Sequence, residues 1–437
     1  MFSRRNRRSP SPELSAAWDR LGEGDVPGAL RELRAVPEAP RAQVAAVVAR
    51  AAEAAGFDDL RKAAEALAAH PDRVRPLYDY GYACVERGVS YLAIPALREA
   101  VRLQPGSAGV LRELVSAYEG EGRHREAADA LLGHEDGLAD WPDRYLLVHN
   151  AVLAGDLELA RRHHTGLTAP DPTWLGARDR QNRVLERASS AGRVSPLDHL
   201  DLRGWQYVMG GTLLGTLSPH GFDAGMTGRY AWFQDSHDQC LQGLSRLRAV
   251  LEATGAHPRS VSLLPDRGSR ILGLAAAEVL GLPSVPFDAD REDTVVIAYD
   301  LDDTARTAQG PELLGQLLRR VPGQVLHEHA SCWTDPPVVA ADSVTLLHQS
   351  VVPPWGEILR QGADGGMERG AADERPEAEI AADIMGADPV PDEGDGQSPA
   401  DPLDVLTDFA SAVRGTWLRG DRARLRSPGP VASSRFL

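Results

Sequence analysis

The chain has 437 residues, 43% of them hydrophobic and 25% charged. That length suits two or three domains, and that balance excludes disorder throughout. No run approaches the roughly 18 apolar residues of a membrane helix, and the net charge of −16 disfavours non-specific nucleic-acid binding, because phosphates would be repelled.

Arg4, Arg5, Arg7 and Arg8 give residues 1–12 a basic, disordered character, with no apolar stretch after them that would make a secretory signal. Residues 13–192 then read as helix after helix, Ala-, Leu- and Arg-rich and broken by Gly and Pro. Leu77 recurs as Leu111, Gly88 as Gly122, Ala93 as Ala127 and Leu97 as Leu131, each 34 residues on, and Tyr118 takes the place of Cys84. The small residues suit a close helix crossing, the leucines fill the space between units, the glycines permit a tight turn, and Pro105 ends a helix. A third unit, with Tyr145, Val152, Gly155 and Ala160, falls one residue short of the period in its last two positions. Leu21, Gly24, Ala29 and Leu33 suggest another upstream, and Val44 to His70 one more without the full signature.

This pattern resembles the tetratricopeptide repeat. The resemblance implies paired antiparallel helices stacked into a superhelix, with a concave face that takes a protein or peptide partner.

Residues 193–360 change character. Apolar runs at Val261–Leu264, Thr294–Tyr299, Gln324–Ala330 and Val344–His348 alternate with helical stretches at His237–Thr254, up to Leu280, and Pro311–Arg320. Such alternation predicts an α/β domain with a mostly parallel sheet, whose ligands would sit beyond the carboxyl ends of the strands. Two loops fall there. Pro265-Asp266-Arg267-Gly268-Ser269 opens a helix, where backbone amides attract an anion and Arg267 or Arg270 could pair with phosphate. The second, Asp300-Leu301-Asp302-Asp303-Thr304, offers carboxylates to magnesium, with Asp300 and Asp302 as ligands, or to ribose hydroxyls. Lys62 is the only lysine, so a P-loop nucleotide hydrolase is excluded.

The order of these two loops resembles a type I phosphoribosyltransferase. The resemblance implies that Arg267 and Gly268, with Ser269 and Arg270, meet pyrophosphate, that Asp302 and Asp303 hold the ribose, and that Thr307 lies in the phosphate loop. Ala308 departs from the family, which has a glycine there, and the stretch before Thr294 is too short for the family's catalytic loop. Taken alone, Asp300-x-Asp302-x-Thr304 resembles the first motif of the haloacid dehalogenase superfamily, which would make Asp300 a nucleophile and Asp302 a general acid/base. A further constellation, His237-x-x-Cys240 with His329-x-x-Cys332 and His327 nearby, has ligand types that suit tetrahedral zinc.

Between Asp364 and Asp404 stand thirteen Asp or Glu against two Arg, and residues 361–402 are expected to be a disordered acidic linker. Within 403–419, Leu406, Phe409, Ala410, Val413 and Trp417 make an apolar helical stripe that docks on its own domain or on a partner. Residues 420–437, with Arg422, Arg424 and Arg426, are expected to be a basic disordered tail. Three distant cysteines, Cys84, Cys240 and Cys332, argue for a reducing cytoplasm. The expected function is that of an interaction scaffold coupling a partner-binding array to an α/β domain. The alternative is an enzyme binding a phosphorylated ribose with magnesium.

Overall fold

The computed structural model describes residues 11–222, 224–361, 366–389, 394–425, 427 and 429–433. Contacts divide the chain into two units, Met1–Pro172 and Thr173–Leu437. The arginines before residue 11, and Arg426, lie outside the described residues.

Helix pairs build the first unit: α1 (Ser15–Gly22) with α2 (Val26–Arg34), α3 (Arg41–Ala55) with α4 (Asp58–Ala69), α5 (Val74–Glu86) with α6 (Ser90–Leu103), α7 (Ala108–Gly120) with α8 (His124–Leu132), and α9 (Tyr145–Leu153) with α10 (Leu157–Thr165). At the turn inside each pair stands a glycine with φ between 66° and 82°: Gly24, Gly56, Gly88, Gly122 and Gly155. That left-handed backbone costs a side-chain-bearing residue about 1–2 kcal/mol, which is why glycine recurs at the period of the fold. Gly56 supplies the turn in the stretch from Val44 to His70, whose signature is weakest.

The close crossing of α5 and α6 is set by Gly81, where a Cβ would lie 2.4 Å from Leu97 Cγ. Ala93, Leu97, Ala127 and Leu131 are fully buried around such crossings. First helices also touch across successive pairs, α1 with α3 and α5 with α7. Polar groups tie the fourth pair to the fifth: Arg112 Nε reaches Asp143 at 2.6 Å, and Asn150 Nδ2 donates to Glu119 at 2.7 Å.

The second unit contains α11 (Leu175–Ala191), α12 (Leu202–Gly210), β1 (Leu213–Leu214), β2 (Tyr230–Gln234), α13 (His237–Thr254), β3 (Ser260–Leu263), α14 (Arg267–Leu280), β4 (Ser284–Pro286), β5 (Thr294–Ala298), α15 (Leu301–Ala305), α16 (Gly310–Leu318), β6 (Val325–Cys332) and β7 (Ser343–Val352). After these come β8 (Leu359–Gln361), β9 (Met367–Arg369), α17 (Glu377–Met385) and α18 (Leu403–Val413). The main sheet runs β1-β7-β6-β5-β3-β4, with β2 also on the β7 edge, and every pairing in it is parallel. β8 and β9 form a separate antiparallel pair. The five residues of β5 are all buried, as expected of a central strand covered on both faces.

Three expectations change. The break between units falls at Pro172 rather than residue 192, because α11 packs on α12 and α18. The acidic stretch 361–402 is not without structure among its described residues: α17 packs on α14 with Ile380 and Ile384 fully buried, and Asp401 pairs with Arg203 at 2.8 Å and Arg246 at 3.0 Å. Residues 420–425 are not a loose tail either, since Arg422 is 1% exposed and its Nε bonds Asp342 Oδ2 at 2.9 Å. Composition signals solvation, but here arginines of α12, α13 and α14 hold the acidic stretch, and Asp342 holds the basic one.

Two glycine substitutions separate backbone from packing effects in the repeats. Gly81→Ala should cost about 1–3 kcal/mol by overpacking, and Gly88→Ala about 1–2 kcal/mol by backbone strain, in urea unfolding of the full chain. In a Leu97→Ala background the Gly81→Ala cost should nearly vanish, whereas the Gly88→Ala cost should persist.

Candidate functional site

The strand order reverses between β3 and β5, and the crevice beyond their carboxyl ends is where open parallel sheets hold ligands. Both loops singled out in the sequence meet there. Asp266 Oδ2 accepts a 2.8 Å bond from the Thr304 hydroxyl, and Ser269 Oγ accepts from the Tyr299 amide at 3.0 Å.

Their charged groups, however, turn to partners within the chain. Asp266 caps α14 by accepting from the Ser269 amide at 2.9 Å, so a carboxylate already stands where a phosphate would bind. Arg267 donates to the carbonyls of Asp373 and Arg375 at 2.9 and 2.7 Å, and Arg270 pairs with Glu377 at 2.7 Å. Tyr299 and Trp355 lie over Gly268. Asp303 accepts from Arg306 at 2.6 Å, and the Thr307 hydroxyl donates to the Thr304 carbonyl at 2.8 Å. Asp300 caps α15 through the Asp302 amide at 2.8 Å. The three carboxylates Asp300, Asp302 and Asp303 do not converge as a trio on one point among the described residues.

Of the proposed zinc ligands, the structure brings together Cys240 and His329 but neither His237 nor Cys332. The reason lies in strand geometry: side chains of a strand alternate faces, so His329 and Cys332, three apart on β6, cannot share one. The third member is Asp235, which no spacing rule singles out because it precedes the Ser236 cap of α13. Its Oδ2 lies 3.1 Å from His329 Nε2 and 3.4 Å from Cys240 Sγ, and accepts the Tyr299 hydroxyl at 2.9 Å. Cys240 Sγ and His329 Nε2 are 4.0 Å apart. Oxygen, nitrogen and sulfur ligands at such separations fit a tetrahedral ion. As built, the carboxylate gathers the donors itself, and burial pushes the Cys240 thiol well up, keeping it a hydrogen-bond donor.

Beside this hub lie Asp300, Glu328 and His348. Burial raises Asp300 to about 7, pushes Glu328 far above the usual carboxylate range, and lowers His348 to about 4. His348 Nε2 lies 3.9 Å from Asp300 Oδ2, and Glu328 Oε1 accepts the Leu301 amide at 2.8 Å. Neither Asp235 nor His329 exposes any side-chain surface, so the hub acts as a structural centre rather than a place where a substrate arrives.

The repeats carry a different kind of surface. Tyr78 and Tyr82, one turn apart on α5, stack with centroids 6.3 Å apart, and Tyr82 is 47% exposed. At the equivalent positions α7 carries Arg112 and Ser116, and α9 carries Tyr145 and His149, themselves stacked at 6.3 Å. A stacked ring pair thus stands on α5 and again on α9, while α7 carries Arg112 and Ser116 there.

The raised Asp300 pKa makes a pH prediction. The folded chain holds this proton up to about pH 7, whereas an unfolded carboxyl loses it near 3.9. Folding therefore binds a proton in that window, and this group makes stability fall as pH rises from about 4 to about 7, with no further change above. Asp300→Asn keeps the helix cap but removes this slope. Its urea midpoint should improve relative to the parent between pH 4.5 and pH 8.

No family model matches the chain, and no curated protein matches it. Among solved structures, a mutant of MamA is 22% identical over 35% of this chain and 92% of that one, with a TM-score of 0.24. A second MamA structure, labelled AMB-1, is 22% identical over 36% of this chain and 96% of that one, with a TM-score of 0.23. At those scores the likeness carries no argument about function. No helix among the described residues is long and apolar enough to cross a membrane.

Proposed function

We propose that this chain is an interaction scaffold of the tetratricopeptide type, in which the first helices of the repeats receive a segment of a protein partner and join it to a chain bearing an α/β unit. The observation that carries this reading is the Tyr78–Tyr82 stack on α5, in which Tyr82 is exposed and Tyr78 half-buried. Aromatic side chains of this kind anchor interfaces, since they offer large area with few rotamers to freeze. Contacts between successive first helices support a curved array with those helices on its inner side. The ligand chemistry follows from the rings: a segment of a partner protein with apolar side chains. Three unpaired thiols support a reducing, cytoplasmic setting.

The enzyme alternative, phosphoribosyl or phosphoryl chemistry with magnesium, draws no support from the geometry, because Arg267, Arg270 and Asp303 are held by the chain's own groups.

A photo-crosslinking residue in place of Tyr82 should trap a discrete partner in a native extract, while one in place of Val338, which is 53% exposed in the other unit, should not. Replacing both Tyr78 and Tyr82 by Ala should weaken capture of that partner at least tenfold, with the loss of stability coming from Tyr78, which packs on the core, and little from exposed Tyr82. Full retention of the partner by the double variant would refute the docking face.

A further inference from the structure

Buried arginines in the second unit generally meet strong acceptors. Arg203, Arg246 and Arg422 pair with Asp401 or Asp342 at 2.8–3.0 Å, and Arg187 donates to two carbonyls at 2.9 Å. Arg229 is different. It is 1% exposed, lies over the Trp333 ring at 5.4 Å, and its bonds to the carbonyls of Met226 and Val431 are long, at 3.4 and 3.3 Å. No carboxylate pairs with it among the described residues, and burial alone pulls it down to about 10. A buried, unpaired guanidinium is costly unless something balances it.

Arg229 lines a cavity of about 620 Å³, within the range of small-molecule sites. Val344, Leu347 and Val431 give that cavity apolar walls, and Ser331 and Thr334 offer hydroxyls. In a chain of net charge −16, no Asp or Glu among the described residues lines it. The other arginine on its wall, Arg424, is already paired with Asp335 at 2.6 Å. A guanidinium without a carboxylate partner, beside apolar walls, suits one negative charge carried on an apolar body.

We infer that this cavity binds a small amphiphilic monoanion, its carboxylate on Arg229 and its apolar body against Val344, Leu347 and Val431. The lining shares no residue with the two loops of the β3–β5 crevice and none with the repeats. It also carries its own reporter. Cys332 lines the cavity and is partly exposed, whereas Cys84 and Cys240 are fully buried, so a thiol reagent applied to the native chain reads Cys332.

The test measures the labelling rate of Cys332 in the full chain with millimolar octanoate, octanamide or inorganic phosphate. Octanoate should slow labelling at least tenfold, while the neutral amide and phosphate should have little effect. Arg229→Met should lose that protection without lowering the melting temperature, since it removes an unpaired buried charge, and Arg229→Lys should retain part of it. Cys84 and Cys240 staying unreactive would certify that each variant is folded. Equal protection by octanamide, protection by phosphate alone, protection that survives Arg229→Met, or no protection by octanoate would each overturn the assignment.

Discussion

The second unit depends on one buried charge. Asp342, at the entry to β7, has no exposed side-chain surface, and neither has Arg422, whose Nε and Nη2 both face it. Arg320 engages the other carboxylate oxygen. Burial works to raise the Asp342 pKa, but the two guanidiniums outweigh it and hold the carboxyl below its usual range. The same residue accepts the Leu326 amide at 2.8 Å through its side chain and the Trp417 indole at 3.0 Å through its carbonyl. The start of β6, the start of β7 and residues 417–422 therefore share one electrostatic centre. Breaking such a pair on one side costs roughly 3–5 kcal/mol, far more than an exposed ion pair contributes.

The same device recurs along the C-terminal stretch. Arg267 and Arg270 hold the approach to α17, Arg203 and Arg246 hold Asp401, and Arg422 joins Asp342. Arginine suits these places because its planar fork bonds a carboxylate or two carbonyls at once, which a lysine ammonium does with less directional fit. The clamps also explain the loop at α14. A residue type and position that would serve a phosphate serve instead to fasten the chain that follows.

The two units thus reach stability by different routes. In the first, local contacts between neighbouring helices repeat, and a glycine with positive φ marks each turn. In the second, contacts join residues far apart in sequence, and polar groups must be satisfied deep in the core. Asp235 does this for Tyr299, His329 and Cys240.

What the sequence determined by itself was periodic or local. The 34-residue recurrence of Gly88 and Ala93 dictates helix pairs, because a tight turn and a close crossing each restrict one position to small residues. The apolar runs at 261–264 and 294–299 dictate inner strands of the sheet, and the two loops follow the carboxyl ends of those strands. The tertiary structure alone decided what those loops touch. Whether Arg267 meets a phosphate or the carbonyl of Arg375 depends on where a segment about a hundred residues away comes to rest. The same holds for Asp235 joining Cys240, for Arg422 finding Asp342, and for Arg229 being left without a carboxylate. Buried charge is settled by long-range neighbours, and no local pattern in the chain encodes them.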